Sequence, residues 1–196
     1  MVIDRDFIKN RLAACFHSAA EAAESSVAAA VLVPLLDRSS GGLSVMLTLR
    51  PEHLEYHPGQ ISFPGGRAEG NESSIETALR EAHEEIGLET RHAEILGTLP
   101  HYTTLTGYHI TPVVALIDPE FKPRADPTEV AEVFEVPLEH FLDAANHQRH
   151  RAFYQGSERQ YYAMPYQSRF IWGATAGMLH DLYRILIAKD KEESEC

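Results

Sequence analysis

The spacing of apolar residues along the chain predicts helices and strands in an interleaved order. A helix is predicted over residues 4–20, with Asp4 as its N-cap, because the apolar positions recur near one helical face. Those positions are Phe7, Ile8, Leu12, Cys15 and Phe16. Two apolar runs follow at residues 27–36 and 43–50, with the turn sequence DRSSGG between them, so they predict paired strands.

The second half of the chain carries shorter blocks of the same two kinds. Its predicted elements are strands over 92–100, 108–118 and 131–137, a short helix over 137–145, a hairpin of 150–156 with 160–167, and a closing helix over 173–189. Because helices and strands alternate along the chain, the pattern predicts an α/β fold with a mixed sheet flanked by helices.

The clearest helical pattern runs from Ser73 to Ile86. Asn71 or Ser73 can cap its start, and Gly87 is placed to end it. Five apolar residues fall within one arc of about 100°, which is expected to be the buried face. They are Ile75, Ala78, Leu79, Ala82 and Ile86.

Three glutamates lie beside that apolar arc rather than opposite it. Glu81, Glu84 and Glu85 share a second arc of about 100°, where like charges one turn apart repel each other. A divalent cation would relieve the repulsion, and carboxylate oxygens suit Mg²⁺ or Mn²⁺. The alternative is a solvated face, as in most glutamate-rich helices, and the helix alone does not decide between the two.

The composition limits the class of protein. A chain of 196 residues with 44 % hydrophobic and 23 % charged residues is expected to form one folded domain with terminal additions. No apolar run reaches the ~18 residues of a membrane span. The two cysteines, Cys15 and Cys196, make neither a disulfide framework nor a four-thiolate zinc site, so a cytoplasmic location is expected.

The charge balance bears on the partners of the protein. A net charge of −12 argues against a nucleic-acid binder, which normally presents a basic face. A negative net charge is compatible with an anionic small-molecule substrate if local cations, either side chains or metal ions, offset the charge of the substrate. The expected partner is therefore a small molecule rather than nucleic acid or membrane.

From Gly66 onward the glutamates belong to a longer pattern with fixed spacing. Gly66 is followed after five residues by Glu72, and after seven more by REAHEEIGL, which runs from Arg80 to Leu88. This resembles the Nudix box, G-x5-E-x7-R-E-U-x-E-E-x-G-U with U apolar, at every fixed position. The resemblance implies a Nudix-type α/β/α sandwich and hydrolysis of a nucleoside diphosphate linked to another group.

The same resemblance assigns roles to individual residues. It implies that Glu81 and Glu85 are the principal metal ligands and that Glu84 is a further ligand or the proton acceptor. Arg80 would orient the glutamates, and Glu72 would support the loop or the metal shell. The implied cofactor is Mg²⁺ or Mn²⁺, which would neutralise the diphosphate and make a bound water more acidic.

The segment before the box, LTLRPEHLEYHPGQISFPGGR (47–67), resembles the signature of the coenzyme A pyrophosphatase subfamily. That signature is Leu-Thr-x-Arg followed by Leu-x-x-His-x-Gly-Gln-x-x-Phe-Pro-Gly-Gly. The resemblance, which extends over most of residues 27–180, implies cleavage of coenzyme A or its thioesters into 3′-phosphoadenosine 5′-phosphate and a 4′-phosphopantetheine product. The residues expected to bind substrate are Arg50, His57, Gln60, Gly65, Gly66 and Arg67.

These residue types also suit a polyanionic substrate on physical grounds. Glycines and prolines let the loop bend closely past the ligand, while Arg50, His57 and Arg67 supply cationic or donor groups to an acidic protein. Two structural alternatives stay open at this point. His57 can serve only to stabilise the loop by a hydrogen bond, and Arg50 can be an ion pair at the end of a strand.

The resemblance to the Nudix family also implies one further metal ligand from outside the box. Glu129 and Glu132, in the sequence DPTEVAEVFEVP, are the candidates, and Glu129 is preferred because it lies just before a predicted strand. An exposed glutamate at the start of a strand is the alternative.

The sequence leaves several matters open. The box handles only the diphosphate, so ADP-ribose, NADH or a dinucleoside polyphosphate remains an alternative substrate, and a non-catalytic nucleotide-binding Nudix domain is an alternative of another class. A homodimer, common in the family, also stays open. The expected organisation is an N-terminal helix and join at 1–26, a Nudix hydrolase domain at 27–189 and a disordered tail at 190–196.

Overall fold

The structure is a computed structural model that describes residues 3–14, 26–38, 42–54, 57–154 and 156–187. The helices are α1 (Arg5–Ala14), α2 (Ser74–Ile86), α3 (Leu138–Leu142) and α4 (Gly173–Ile187), with 3₁₀ turns at Thr90–His92 and Ala144–Asn146. The strands of the main sheet are β1 (Val27–Asp37), β2 (Leu43–Leu49), β3 (Ile61–Ser62), β4 (Gly65–Arg67), β5 (Ala93–Thr98), β6 (Tyr102–Thr103), β7 (Tyr108–Ile117) and β8 (Glu132–Pro137). A separate hairpin pairs β9 (Gln148–Tyr154) with β10 (Ser157–Ala163).

The eight-stranded sheet is mixed, as the sequence predicts. Its order is β3-β2-β1-β7-β5, with β4 beside β1, β6 beside β7 and β8 beside β2. Only β1 and β7 run parallel, and the other pairs are antiparallel. The strands predicted over 27–36, 43–50, 92–100, 108–118 and 131–137 and the predicted hairpin are all present, with ends shifted by a few residues.

Helices cover both faces of the sheet, which gives the expected α/β/α sandwich. Along β1, Ala30, Leu32 and Leu36 pack with α2 on one face, whereas Val33 and Leu35 pack with α1, α3 and α4 on the other. This alternation follows from the two-residue period of a strand. Helix α2 therefore covers one face of the sheet, together with the segment that contains Phe121.

The described residues between β2 and α2, for which the glycines and prolines predict a loop, include the two short strands β3 and β4. After β1 and β2 diverge, β3 continues the pairing with β2, and β4 continues the pairing with β1. Pro64 lies between β3 and β4, where its carbonyl accepts a hydrogen bond of 2.8 Å from the backbone N–H of Leu32. The two short strands thus fill the gap in the sheet and lead directly to the helix.

Helix α2 begins and ends where the sequence predicts. Ser73 is the N-cap and forms a capping box with Glu76, and Gly87 ends the helix in the left-handed conformation at φ 70°. The predicted buried face is wrong at Ile75, which is 38 % exposed. The buried stripe is rotated so that it includes Thr77 and Glu85, because the C-terminal part of the helix lies against the sheet at Gly65 and Gly66.

The N-terminal helix also differs from its prediction in length. Asp4 caps α1 by accepting a hydrogen bond of 2.8 Å from the Phe7 backbone N–H, and Ile8 and Leu12 are buried as expected. Cys15, Phe16 and the rest of the predicted helix to residue 20 lie outside the described residues, as does the tail at 190–196. The domain boundaries at 26/27 and 189/190 stay predictions.

Candidate active site

Two consecutive glycines bring β4 against both the sheet and α2. A Cβ atom on Gly65 would lie 2.6 Å from the Cα atom of Val31, and one on Gly66 would lie 2.6 Å or less from each carboxylate atom of Glu81. Such distances are far inside van der Waals contact, so only glycine fits at position 65, where the obstacle is backbone, and a side chain at position 66 would displace the Glu81 carboxylate. The group that approaches Gly66 is the carboxylate of a box glutamate.

Arg80 is the centre of the ion pairs around the box. Its guanidinium donates to Glu72 through Nε and Nη2 at 2.8 and 3.1 Å, and to Glu81 and Glu84 through Nη1 at 3.0 and 3.1 Å. Nη2 also donates to the backbone carbonyl of Arg67 at 2.9 Å. A planar guanidinium suits this arrangement because its donors are fixed in a fork. Arg80 therefore contacts three of the box carboxylates at once.

Glu72 anchors the other side of this network. Besides Arg80, its Oε2 atom accepts a hydrogen bond of 3.0 Å from the Thr77 hydroxyl and one of 3.1 Å from the Glu69 backbone N–H. These bonds, led by the one from Arg80, hold the pKa of Glu72 down to about 2. Glu72 is thus firmly ionised, and it serves the site by fixing Arg80.

Glu85 is the most deeply buried of the box carboxylates. It is 4 % exposed, and burial raises its pKa to about 8 despite a hydrogen bond from the Gly65 backbone N–H. The nearby negative charges of Glu81 and Glu129 raise it further, while Arg50 acts in the opposite direction. A carboxylate so buried and so poorly compensated is typical of a functional site.

The remaining glutamates of the box differ in exposure. Burial also raises the pKa of Glu81, with smaller effects of the same sign from Glu84 and Glu129, whereas Arg80 opposes the change. The Glu81 side chain is 14 % exposed, but that of Glu84 is 52 % exposed and points to Arg80. Glu81 and Glu85 therefore form the buried part of the cluster, and Glu84 lies at its open side.

Glu129 and Glu132, the two candidates from outside the box, lie in different surroundings. Glu129 is close enough to Glu81 and Glu85 to raise the pKa of both. Its loop is tied to the box, since the Asp126 backbone N–H donates to the Glu85 carbonyl at 2.9 Å. Glu132 instead pairs with Arg169.

The donor set suits a hard divalent cation. Glu81, Glu85 and Glu129 offer only oxygen ligands, and their mutual repulsion is of the kind that a cation relieves. Among the described residues, no three His, Cys, Asp or Glu side chains converge on one point as a complete ligand set. Mg²⁺ and Mn²⁺ do not require one, because they retain waters and take phosphate oxygens of the substrate beside one or two carboxylates.

The predicted substrate residues lie along the strands and turns that lead to the box. The backbone N–H of Arg50 donates to the Gln60 carbonyl at 3.0 Å, which pairs these residues at the open end of β2 and β3. The Arg50 Nε atom is buried without a hydrogen-bond partner among the described residues. Among the described residues this donor has no acceptor, although the charge of Arg50 lowers the pKa of Glu85.

His57 and Arg67 are more exposed than Arg50. His57 has a left-handed backbone at φ 56°, and its carbonyl accepts a hydrogen bond of 3.3 Å from the Gln60 N–H, so it forms a tight turn. The guanidinium of Arg67 lies over the ring of Tyr108, 5.8 Å from its centroid.

Sequence reasoning missed two side chains that support the site. Thr77 is fully buried and fixes Glu72 by its hydroxyl, while Tyr108 provides the ring beneath Arg67. Thr77 lies one turn before Glu81, on the glutamate side of α2, so the apolar pattern of the helix gave no signal for its burial. Nothing in the local sequence of Tyr108 indicated a contact with residue 67.

The described residues contain no helix that combines the length and apolar character needed to pass through a bilayer.

Comparison with known proteins identifies the family. The model of the NUDIX domain matches residues 27–156. The uncharacterized Nudix hydrolase NudL of Enterobacter sp. (strain 638) is 41 % identical over 155 residues, which cover 79 % of this chain and 80 % of NudL. NudL of Escherichia coli (strain K12 / DH10B) is 39 % identical over the same shares of both chains.

Two solved structures share the fold. A binary complex of the C. elegans Ap4A hydrolase has a TM-score of 0.50 at 18 % identity and covers 57 % of this chain and 80 % of that one. RenU, a Nudix hydrolase of M. smegmatis, has a TM-score of 0.51 at 23 % identity and covers 58 % and 72 %. At such identities the likeness extends to the fold alone.

The match to the NUDIX domain spans the strands and the helix that carry the box glutamates. Proteins of this family hydrolyse small nucleoside diphosphate derivatives and generally require divalent metal ions. The chain therefore belongs to the Nudix family and is a pyrophosphohydrolase.

Proposed function

We propose that the protein is a metal-dependent coenzyme A pyrophosphatase. Water would add across the diphosphate of coenzyme A or an acyl derivative. Its oxygen forms a bond to one phosphorus while the bridging oxygen leaves on the other phosphate. The products are 3′-phosphoadenosine 5′-phosphate and 4′-phosphopantetheine, or its acyl form.

The proposed binding of an anionic substrate is supported by the Nε donor of Arg50, which has no acceptor among the described residues. A buried guanidinium nitrogen without an acceptor costs free energy, and an anionic ligand would satisfy it. Arg50 also lies in the field of Glu85, so a phosphate oxygen that reached Nε would be near the box. Gln60, His57 and Arg67 extend the same side of the site with amide, imidazole and guanidinium donors.

The proposed metal binding is supported by the cluster of carboxylates. Glu81 and Glu85, with Glu129 from the neighbouring loop, would hold Mg²⁺ or Mn²⁺, and Glu84 would be a further ligand or the proton acceptor. The bound cation would neutralise the diphosphate and make water more acidic. Glu84 suits proton transfer because its side chain is 52 % exposed and can reach water.

Arg80 and the two glycines give the site its geometry. Gly65 fixes Glu85 through its backbone N–H, Gly66 leaves space for Glu81, and Arg80 holds Glu81 and Glu84 from the other side. The carboxylates are thus oriented before substrate arrives, which reduces the free energy needed to reach the reactive geometry.

The choice of coenzyme A rests on the segment from Leu47 to Gly66, since the box itself recognises only a diphosphate. A substrate panel tests this choice. The purified protein would be incubated with Mg²⁺ or Mn²⁺ and, separately, coenzyme A, ADP-ribose, NADH and a diadenosine polyphosphate, with products separated by chromatography. Coenzyme A is expected to have the highest kcat/KM and to give the two products above.

Two variants and a chelator complete the experiment. Glu85→Gln should abolish turnover and leave the circular dichroism spectrum unchanged, whereas Glu89→Gln, which alters an exposed partner of Arg91, should retain full activity. Faster cleavage of another substrate would overturn the choice of coenzyme A. Activity that survives a chelator, or tight binding without cleavage, would overturn metal-dependent hydrolysis.

A further inference from the structure

Four aromatic rings form a continuous cluster beside the closing helix. His150 and Tyr161, directly opposite each other on β9 and β10, stack with centroids 5.5 Å apart. Trp172 contacts the edge of Tyr161 at 5.6 Å, and Phe170 meets His150 at 5.9 Å. We call these four residues the aromatic face.

Two rings of the aromatic face are open to solvent, whereas the opposite face of the hairpin is packed against α4 at Tyr162. Tyr162, the neighbour of Tyr161, points to α4 and stacks on His180 with centroids 4.0 Å apart. Phe170 and Trp172, by contrast, are 45 % and 41 % exposed. Exposed rings grouped in this way indicate a binding surface, since single exposed apolar residues are ordinary but clusters are not.

The charge around the face is opposite to that of the chain. Residues 147–172 contain four arginines and one acidic residue, a net charge of +3 that leaves −15 for the other residues of a chain whose total is −12. Arg159 shares the side of β10 that carries Tyr161, because side chains two residues apart point the same way. The face thus combines flat rings with positive charge, which is the chemistry that recognises a nucleobase next to a phosphate.

The aromatic face is also fixed to the elements that carry the proposed substrate residues. Thr175, three residues after Trp172, donates from its buried hydroxyl to the Ile61 carbonyl at 3.0 Å, and Ile61 directly follows Gln60. Arg169 pairs with Glu132 at the start of β8, three residues beyond Glu129. Both ends of the segment that presents Phe170 and Trp172 are therefore joined to strands of the active site.

From these observations we propose that the aromatic face binds the purine base of the substrate. The proposal rests on the proposed function in one respect, because the base is taken to belong to the diphosphate that the box cleaves. The base stacks on Trp172 or Phe170, and Arg159 attracts the phosphate beside it. The other half of the substrate extends past Arg50 and Gln60.

The chain carries its own reporter for this site, since Trp172 is its single tryptophan. The probe is 3′-phosphoadenosine 5′-phosphate, which has a purine and phosphates but no diphosphate bond to cleave. Titration of the metal-free protein with this compound is expected to quench the tryptophan fluorescence in a saturable manner. Titration with 4′-phosphopantetheine, which lacks the base, should leave the fluorescence unchanged.

Variants on the two sides of the hairpin locate the effect. Phe170→Ala and Tyr161→Ala should each weaken binding of the probe about tenfold, in line with the contribution of one ring to base stacking. Phe153→Ala is the matched control, because Phe153 is 80 % exposed on the same hairpin but points to the opposite side from Tyr161. It should bind the probe as the unmodified protein does.

The outcomes separate this inference from the proposed function. Saturable quenching that Phe170→Ala weakens and Phe153→Ala does not would support the aromatic face even if coenzyme A were not cleaved. If coenzyme A were cleaved but the probe left the tryptophan fluorescence unchanged, the base would not bind at the aromatic face, although the proposed function would stand. The same would follow if Phe170→Ala left the KM for coenzyme A unchanged. The proposal would also be overturned if the probe did not quench the parent protein and Phe170→Ala changed the oligomeric state measured by sedimentation. The aromatic face would then be an interface between copies of the chain.

Discussion

The carboxylate of Glu81 fills the space that a side chain at Gly66 would occupy. Every atom of the Glu81 carboxylate lies within 2.6 Å of the point where a Cβ of residue 66 would be. The position of a proposed metal ligand is therefore set by the absence of a side chain on a neighbouring strand, as well as by the hydrogen bond from Arg80.

Gly66→Ala should displace Glu81 and lower kcat/KM by about 100-fold, since a shift of about 1 Å at a reacting group can have that effect. The obstacle to the new Cβ is the end of a flexible side chain, so the fold should accommodate it. We expect the midpoint of thermal unfolding to change by only a few degrees, measured by circular dichroism beside the activity.

Gly70→Ala provides the control for that experiment. Gly70 has φ +55° with nothing near its Cβ position, so alanine there costs roughly 1 kcal/mol of stability without touching Glu81. The control should lose stability and retain activity, the reverse of Gly66→Ala. Equal activity in the two variants would contradict the account of Glu81.

Arg80→Lys should reduce kcat by about 10- to 100-fold, because a lysine cannot reproduce the fork that holds Glu72, Glu81 and Glu84 together. Steady-state kinetics at saturating metal would measure the loss. Arg91→Lys is the matched control, since Arg91 forms an exposed pair with Glu89 that contributes little. Retention of full activity in Arg80→Lys would show that positive charge alone suffices.

Glu129→Gln should weaken the apparent affinity for Mn²⁺ by about tenfold, because Glu129 acts on both Glu81 and Glu85. Glu132→Gln removes a carboxylate that is paired with Arg169 and should leave the affinity unchanged. Isothermal titration of both variants with Mn²⁺ decides between the two glutamates. Equal affinities of the two variants for Mn²⁺ would show that Glu129 does not contribute to metal binding.

The metal-free protein should lose stability as the pH rises from about 5 to 8. Burial raises the pKa of Glu85 to about 8, from an ordinary value of 4.5. Between those values the folded carboxyl retains a proton that the unfolded chain releases, so the free energy of unfolding falls as the pH rises. Glu85→Gln keeps the shape and removes the titration, so in chelator it should exceed the parent in stability at pH 8 by a few kcal/mol.

Urea unfolding at pH 5 and pH 8 would measure this difference. His180 titrates in both proteins and contributes a slope of the opposite sign at lower pH, since burial lowers its pKa to about 4. Its contribution cancels when the two proteins are compared at the same pH. Parallel pH profiles for the parent and Glu85→Gln would contradict the burial of an uncompensated carboxyl.

The sequence was sufficient to predict the elements whose signals are local. The caps at Ser73 and Gly87 mark α2 to within a residue, and the apolar runs of β1 and β2 predict a buried strand pair. The spacing of the box glutamates predicts that they share one arc of the helix, and Glu81 and Glu85 do lie together against Gly66 and Gly65. Periodicity and capping are properties of short segments, so they can be recognised without the tertiary structure.

The features that were missed depend on contacts between distant segments. The rotation of α2 that exposes Ile75 and buries Thr77 is set by the close approach of β4, which the helical pattern does not contain. The two short strands β3 and β4 arise because β1 and β2 diverge and leave backbone groups to be paired. The ring of Tyr108 beneath Arg67 likewise depends on the sheet topology.

The most direct measurement is anomalous diffraction from a crystal soaked in manganese. We expect a manganese peak bounded by the carboxylates of Glu81 and Glu85, on the side of α2 that faces Gly65 and Gly66, with Glu129 beside it. In a crystal of Glu85→Gln that peak should weaken or disappear. Manganese bound elsewhere, with the Glu81 and Glu85 carboxylates left without a cation, would contradict the central claim that this cluster holds the metal for diphosphate hydrolysis.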